Sequence, residues 1–531
     1  TADGMVVDSL TEQFGIRSLE FSPEFGFKLN GKKIFLQGNA NHHDLGALGA
    51  TCYDKAIERM MLQLKSFGYN CIRCSHNPYS DSFARIADRV GILVVDELTD
   101  KWSDNDYWGG RQPFTHIWHK LITEWIKRDR NRPSIILWSL GNELQIREGW
   151  AGFEGTNDWG ITTYNIFNQL VKRWDHTRLT TVAMFPARAG AITRHDKEFN
   201  DYLVPPELAC ATEVASFNYQ SDKYDAYLKY RPDLILFQSE AETSNLLQPY
   251  YNMDKERMVG IAYWGSVEYW GESNKWPKKG WNYSFFEHTM RPYPQAYLIK
   301  TAFMPEIPEV HIGVVDAAGA ESVSWNDVIV GRMALNECWN HTPGSRRSLF
   351  TFTNAHSVEL LVNGQSMGIQ KNDTTRANLR NMIYWKDVPY GNGGSVVAIA
   401  RDKSGKEVAR HRIETAGKAV ALRIEAETPT DWKADGMDLQ YINVTVIDKK
   451  GRPVWDYNEP LTLQMEGAAR LVALDNGDHY TDELFHGITS KRMYQGRMQI
   501  ILRSDQEAGN VTVKISSAGL KGTLRLKTIK E

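Results

Sequence analysis

Two glutamates close apolar runs that read as buried strands: Glu143 in Trp138-Ser-Leu-Gly-Asn-Glu143, and Glu240 in Leu234-Ile-Leu-Phe-Gln-Ser-Glu240. Polar groups close the neighbouring runs in the same way. These are Asn41-His42-His43-Asp44, Arg73-Cys-Ser-His76-Asn77-Pro78, Asp96-Glu97, Asn218-Tyr219, and a segment carrying Trp264, Glu268 and Trp270. Carboxyl groups gathered with aromatic rings suit the cleavage of a glycosidic bond. One carboxylic acid protonates the leaving oxygen, and a second carboxylate attacks the anomeric carbon or activates water. The 17 Trp and 23 Tyr fit that reading, because flat rings stack on the C–H faces of pyranoses; core packing accounts for any single ring equally well. Glu242 lies two residues beyond Glu240 and shares its strand parity, so alternation does not separate the two.

A scaffold that brings such groups together must align many strand ends. Eight apolar runs serve: 34–41, 70–76, 92–98, 135–143, 178–185, 214–220, 234–240 and 261–270. Helical patterns lie between them, as in 55–67, where Ile57, Met60, Met61, Leu64 and Phe67 share one face. Eight strand–helix units predict an α/β fold, a (β/α)8 barrel over 23–308, with catalytic groups at the C-terminal strand ends. The alternative is an open doubly wound sheet, but no glycine-rich phosphate loop follows any strand. Strands four and seven then face each other across the rim. Their glutamates are expected at about 5–5.5 Å, the separation for retention of configuration.

Residues 1–22 do not fit the barrel and read as the end of a preceding domain plus a linker. Beyond 308 the pattern changes to alternating strands with turn signals. Asn363-Gly364 marks a two-residue hairpin. The run Asp-Lys-x-Gly occurs at Asp402–Gly405 and again at Asp448–Gly451. The repeat predicts two immunoglobulin-like β-sandwiches, 309–417 and 418–531, with structural support weighed above carbohydrate binding.

Composition limits the partners. The net charge of −3 and the absence of basic clusters argue against nucleic acid. No apolar run approaches the ~18 residues of a membrane span. Cys71 and Cys74 form a C-x-x-C inside a strand-like run rather than at a helix start, so buried structural thiols are expected, not a redox or zinc site.

The motifs resemble glycoside hydrolase family 2, whose members include β-galactosidases, β-glucuronidases and β-mannosidases. The matching runs are Asn41-His-His-Asp-Leu-Gly-Ala-Leu-Gly49, Ile72-Arg-Cys-Ser-His-Asn-Pro78, Val94-Val-Asp-Glu97, Trp138–Glu143 and Tyr263-Trp-Gly-Ser-Val-Glu-Tyr-Trp-Gly-Glu272. They occur in barrel order and closely resemble those of the bacterial β-galactosidase-like subgroup with extra C-terminal sandwiches. The resemblance implies Glu143 as acid/base and Glu240, preceded by the small Ser239, as nucleophile. In that scheme an ionised Glu240 keeps Glu143 protonated until the sugar ester removes the charge.

The same reading makes Asn142, His43, His76, Asp44, Tyr219, Trp264, Trp270, Arg73 and Lys275 candidates for binding substrate or orienting the pair. Asn142 would meet the sugar 2-hydroxyl, and Arg73 and Tyr219 the nucleophile. Asp96 and Glu97 are expected to pair with Arg73 or to cap loops. No metal or other cofactor is required, although some family members use Mg²⁺ or Na⁺. The expected activity is a retaining exo-β-glycosidase acting on terminal β-D-galactosides. The alternatives are a β-glucuronidase or an enzyme for acidic or sulfated sugars, which Lys275, Lys278 and Lys279 would meet, and a non-catalytic carbohydrate-binding protein on the same scaffold. Family N-terminal domains would precede residue 1, so either homo-oligomers or association with such domains is expected. The location implied is periplasmic or secreted, in a bacterium.

Overall fold

The computed structural model describes residues 6–102, 113–144, 158, 160–185, 204–273, 275–316, 321–325 and 328–530. Three short antiparallel strands (Leu19–Ser22, Gly26–Leu29, Lys32–Lys33) come first. The break expected near Pro23 falls at the turn inside this small sheet, where Ser22 pairs with Gly26.

Eight strands then close a parallel barrel: β1 (Leu36–Asn41), β2 (Cys71–Cys74), β3 (Leu93–Glu97), β4 (Ile135–Asn142), β5 (Leu179–Met184), β6 (Val214–Asn218), β7 (Leu236–Ala241) and β8 (Gly260–Trp264). They match the eight runs seen in the sequence. Every residue of β4 is buried, as a strand covered on both faces requires. The helices between them include α1 (Asp54–Ser66), α2 (Asp81–Val90), α3 (Phe114–Asp129) and α4 (Ile161–Trp174). α2 shows local sequence logic: the Ser80 hydroxyl accepts the Phe83 N–H at 3.2 Å, and Gly91, φ 76°, ends the helix.

Alternation along the strands sorts inward from outward groups. Asp96 points out of the barrel and accepts the Trp125 indole N–H of α3 at 2.6 Å; its neighbour Glu97 points in. Trp138 also faces outward and donates to Asp175 at 2.9 Å. Cys71 and Cys74 are buried free thiols whose pKa values burial pushes up, Cys71 to about 12. Thiolate chemistry is therefore disfavoured, as expected from their place in a strand.

After the barrel come two pairs of four-stranded antiparallel sheets. The first pair encloses Trp339, Trp385, Val358 and Leu360; the second encloses Trp432, Ile442, Leu463 and Val513. Strands 357–362 and 365–371 meet through Asn363-Gly364, both with positive φ (51° and 83°). The repeated Asp-Lys-x-Gly runs fold alike. Asp402 Oδ1 accepts the N–H groups of Ser404 and Lys406, and Asp448 Oδ1 those of Lys450 and Arg452. Among the described residues no helix is long and apolar enough to cross a membrane.

The chain separates into two compact units: Thr1–Gly38, Asn70–Glu240 and Asp254–Ala262; and Asn39–Tyr69, Ala241–Met253 and Tyr263–Glu531.

Candidate active site

In the first unit the strand ends converge on the Arg73 guanidinium, which is fully buried. Its Nη1 donates to Glu240 Oε1 at 2.7 Å. Its Nε and Nη2 hold Glu97 at 2.7–3.1 Å, and Nη2 also reaches Asn142 Oδ1 at 2.9 Å. Burial works against the charge, but Glu97 and Glu240 outweigh it, and the guanidinium pKa lies above its ordinary value.

Glu240 receives a second donor: the Tyr219 hydroxyl meets Oε2 at 2.7 Å. Both carboxylate oxygens are thus held by groups from β2 and from the end of β6. Glu143 lies one residue past β4 in the left-handed region (φ 51°), with its N–H on the Ala183 carbonyl at 2.6 Å. Asn218 Nδ2 approaches Glu143 Oε1 at 3.4 Å and Asn142 Oδ1 at 3.0 Å, while Asn218 Oδ1 accepts from Ser239 at 2.7 Å. One amide therefore links the ends of β4 and β7.

Glu97 and His76 complete the centre. Glu97 Oε2 accepts the Ser139 hydroxyl at 2.6 Å, and Oε1 lies 2.7 Å from His76 Nδ1. Burial lowers the His76 pKa, but the bond to Glu97 and the nearby Asp100 prevail and raise it. Asn142 Nδ2 lies 3.3 Å from His76 Nε2 and donates to Asp100 at 3.1 Å.

Two β-bulges make this convergence possible. β7 shifts register against β6 between Gln238 and Glu240, so the residues lose the shared face that alternation gives them. Gln238 accepts from Tyr224 of the helix Tyr224–Tyr230, whereas Glu240 faces Arg73. β4 shifts between Ser139 and Asn142, and both then reach the same network. Glu242, past the end of β7, is half-buried and accepts from Asn245, a different setting from that of Glu240.

The remaining candidates lie in the second unit. Asp44 accepts the N–H groups of Gly46 (2.8 Å) and Trp270 (3.1 Å), and burial raises its pKa. Trp270 donates to the Gly46 carbonyl at 2.7 Å. The His42 ring meets Trp264 and Tyr269 edge-on. His43 contacts the Thr51 carbonyl at 3.2 Å. Among the described residues, His42, His43 and Asp44 are not part of any group of three donors converging within 4.8 Å. Lys275 is exposed, but Lys278 is buried over the Tyr283 ring and Lys279 donates to the Thr481 carbonyl, so the three lysines do not form one anion-facing patch. Mg²⁺ does not fit the Arg73 centre either: the Glu97 and Glu240 oxygens are already taken by the guanidinium, hydroxyls and His76.

Three family models match the chain: "Glycosyl hydrolases family 2, TIM barrel domain" over residues 24–257, "Glycoside hydrolase family 2 C-terminal domain 5" over 422–524, and a domain of unknown function (DUF4982) over 344–409. The chain belongs to glycoside hydrolase family 2. A family 2 member from Bacteroides cellulosilyticus superposes over 97% of the chain with a TM-score of 0.85 at 28% identity, and the match covers 65% of that structure. The β-galactosidase BoGH2A of Bacteroides ovatus is 27% identical over 97% of the chain and 64% of its own length. A protein of Formosa agariphila with a provisional β-glucuronidase name is 44% identical over 99% of the chain and 51% of its own length. The family 2 chain described here thus spans about half to two thirds of these relatives.

Proposed function

We propose that this chain carries the catalytic barrel of a retaining exo-β-glycosidase, with Glu240 as nucleophile and Glu143 as acid/base, acting on terminal β-D-galactosides. The observation that carries the reading is the double grip on Glu240. A carboxylate clamped through both oxygens by Arg73 and Tyr219 is held in one orientation, as attack on an anomeric carbon requires. Glu143, one residue beyond Asn142, is tied to that centre through Asn218.

In the first half of the reaction Glu143 gives its proton to the leaving oxygen while Glu240 forms the glycosyl ester. In the second half Glu143 takes a proton from water, which releases the sugar with its configuration retained. Asn142, held by Arg73 and Asn218, is poised to meet the 2-hydroxyl, a contact that strengthens in the transition state.

A second reading, an acidic sugar such as a β-glucuronide, draws on the provisional name of the 44% identical relative. Turnover of aryl β-galactosides and β-glucuronides, with the first anomer read by NMR, separates the two. Turnover with retention in the parent chain, abolished in Glu143→Gln and Glu240→Gln, supports the mechanism. A first product of inverted configuration, or unchanged turnover in Glu240→Gln, refutes it. No turnover with intact sugar binding would mark a binding protein.

A further inference from the structure

We propose that Glu268, His288 and His479 form a site for one first-row divalent transition-metal ion of the Zn²⁺ class. Glu268 follows β8, His288 lies further along the same barrel segment, and His479 stands in the second sandwich, just past the strand Ala469–Asp475. Their donor atoms converge. Glu268 Oε2 is 3.1 Å from His288 Nδ1 and 3.3 Å from His479 Nε2, and all three lie within 4.8 Å of one another. Ligands at about 2.0–2.1 Å from a tetrahedral ion stand about 3.4 Å apart, so two edges of the polyhedron are already in place.

Behind two of the three donors, those of His288 and Glu268, stand groups of the kind that a metal site needs. A metal-bound imidazole usually gives its other N–H to a carboxylate, and a ligating carboxylate is itself hydrogen-bonded. The far nitrogen of His288, Nε2, is 2.9 Å from Asp475 Oδ1, which is fixed by the Gly477 N–H at 3.0 Å. The far oxygen of Glu268, Oε1, accepts the Tyr293 hydroxyl at 2.7 Å. Trp270 stacks on His479 with centroids 4.8 Å apart and lies 4.6 Å from His288, which shields the cluster from water.

Charge gives the second, independent argument. The four side chains Glu268, His288, His479 and Asp475 are each no more than 3% exposed. Asp475 Oδ2 is buried and takes no hydrogen bond among the described residues. Two buried carboxylates beside two neutral imidazoles carry a double negative charge in a dry site, which Lys491 and Arg59, both acting on Asp475, relieve only in part. One imidazolium halves that charge; a divalent ion cancels it with both imidazoles neutral. Two imidazoles and a carboxylate suit Zn²⁺ and its neighbours rather than Mg²⁺ or Ca²⁺, which favour all-oxygen shells. Such an ion would fasten the segment after β8 to the second sandwich.

The test uses the full chain, stripped with a chelator and titrated with Zn²⁺ alone by calorimetry and with Co²⁺ in visible spectroscopy. The proposal expects stoichiometric uptake and the d–d bands of a four-coordinate Co²⁺ site, its fourth ligand a water that enters with the ion. His479→Gln and Glu268→Gln should each abolish that uptake, and Asp475→Asn should weaken it about 10- to 100-fold. His411→Gln, which alters the separate His311–Glu337–His411 cluster, should leave it intact. No uptake by the parent chain, or uptake unchanged in both His479→Gln and Glu268→Gln, overturns the proposal in favour of a hydrogen-bonded cluster. Should the ligand variants fail to fold, the Co²⁺ spectrum of the parent decides: absence of the bands overturns it.

Discussion

Arg73 addresses Glu97 and Glu240 with three different nitrogens. A lysine offers a single nitrogen and cannot serve both carboxylates in this geometry. Arg73→Lys is therefore expected to lower kcat by more than about 100-fold, the loss of roughly 3 kcal/mol of positioning. Arg73→Ala strands two buried carboxylates and should cost about 3–5 kcal/mol of stability. Urea titration followed by fluorescence checks this, and an unmoved midpoint would contradict it. Tyr219→Phe removes one charge-assisted hydrogen bond from Glu240, worth about 1.5–3 kcal/mol, so kcat should fall about 10- to 100-fold with little change in the unfolding midpoint. The sequence made Arg73, Asn142, Tyr219 and Glu240 legible because each closes an apolar run. It placed Asn218 beside Tyr219 at a strand end without showing its part, and did not point to Ser139. Their parts depend on which way a side chain turns at a strand end, and bulges decide that without any mark in the composition. For His43 and Lys275, residue type and position alone do not decide a role: His43 meets the Thr51 carbonyl at 3.2 Å, and Lys275 is an exposed residue.

At the level of strands and sheets the reading from sequence was nearly complete, because period and burial are local properties. Eight apolar runs became eight barrel strands, and Asn363-Gly364 became a hairpin turn. What periodicity does not carry is tight contact between backbones. A Cβ on Gly260 at the start of β8 would lie 2.4 Å from both Cβ and the carbonyl oxygen of Leu36 in β1. Gly260→Ala should therefore destabilise the barrel by about 1–3 kcal/mol; a thermal midpoint equal to that of the parent would show that the strands can part at no cost. A second expectation concerns the first sandwich. His411 Nδ1 accepts the Ile312 N–H at 3.1 Å, which requires an unprotonated nitrogen. Burial first, and then the stacked His311, lower its pKa from the usual 6.5 to about 3. The unfolded chain takes up this proton at higher pH than the folded chain does, so the stability is fully present above about pH 6.5. It is lost progressively as the pH falls toward 3. His411→Asn should flatten that part of the curve of thermal midpoint against pH; an unchanged slope would mean that His411 does not carry the effect.

Across the second unit, the loop after β1 and the helix α1 pack on the second sandwich. Ala47, Leu48 and Ala56 share an apolar cluster with Leu439, Tyr441, Ala473 and Ile501. Arg59 of α1 spans the same contact. It forks onto Glu427 at 2.7 and 2.9 Å and lies 4.4 Å from the centre of the Tyr441 ring. The loop carrying Asp44 is thereby supported from outside the barrel, and Asp44 in turn holds the Trp270 backbone. A sandwich read from sequence as structural support thus bears on candidate substrate-binding residues. The pairing was not visible in the sequence, since these partners lie hundreds of residues apart and each reads locally as an ordinary core or surface position. Tyr441→Ala removes a large buried ring, a change that costs about 3–5 kcal/mol in comparable cores. It should lower the thermal midpoint of the sandwich and raise KM more than it lowers kcat, because the loop carrying Asp44 loses its support. Tyr441→Phe keeps the ring over Arg59 and should behave like the parent. If Tyr441→Ala lowers the midpoint while leaving KM unchanged, the sandwich contributes stability alone and the loop holds its shape without it.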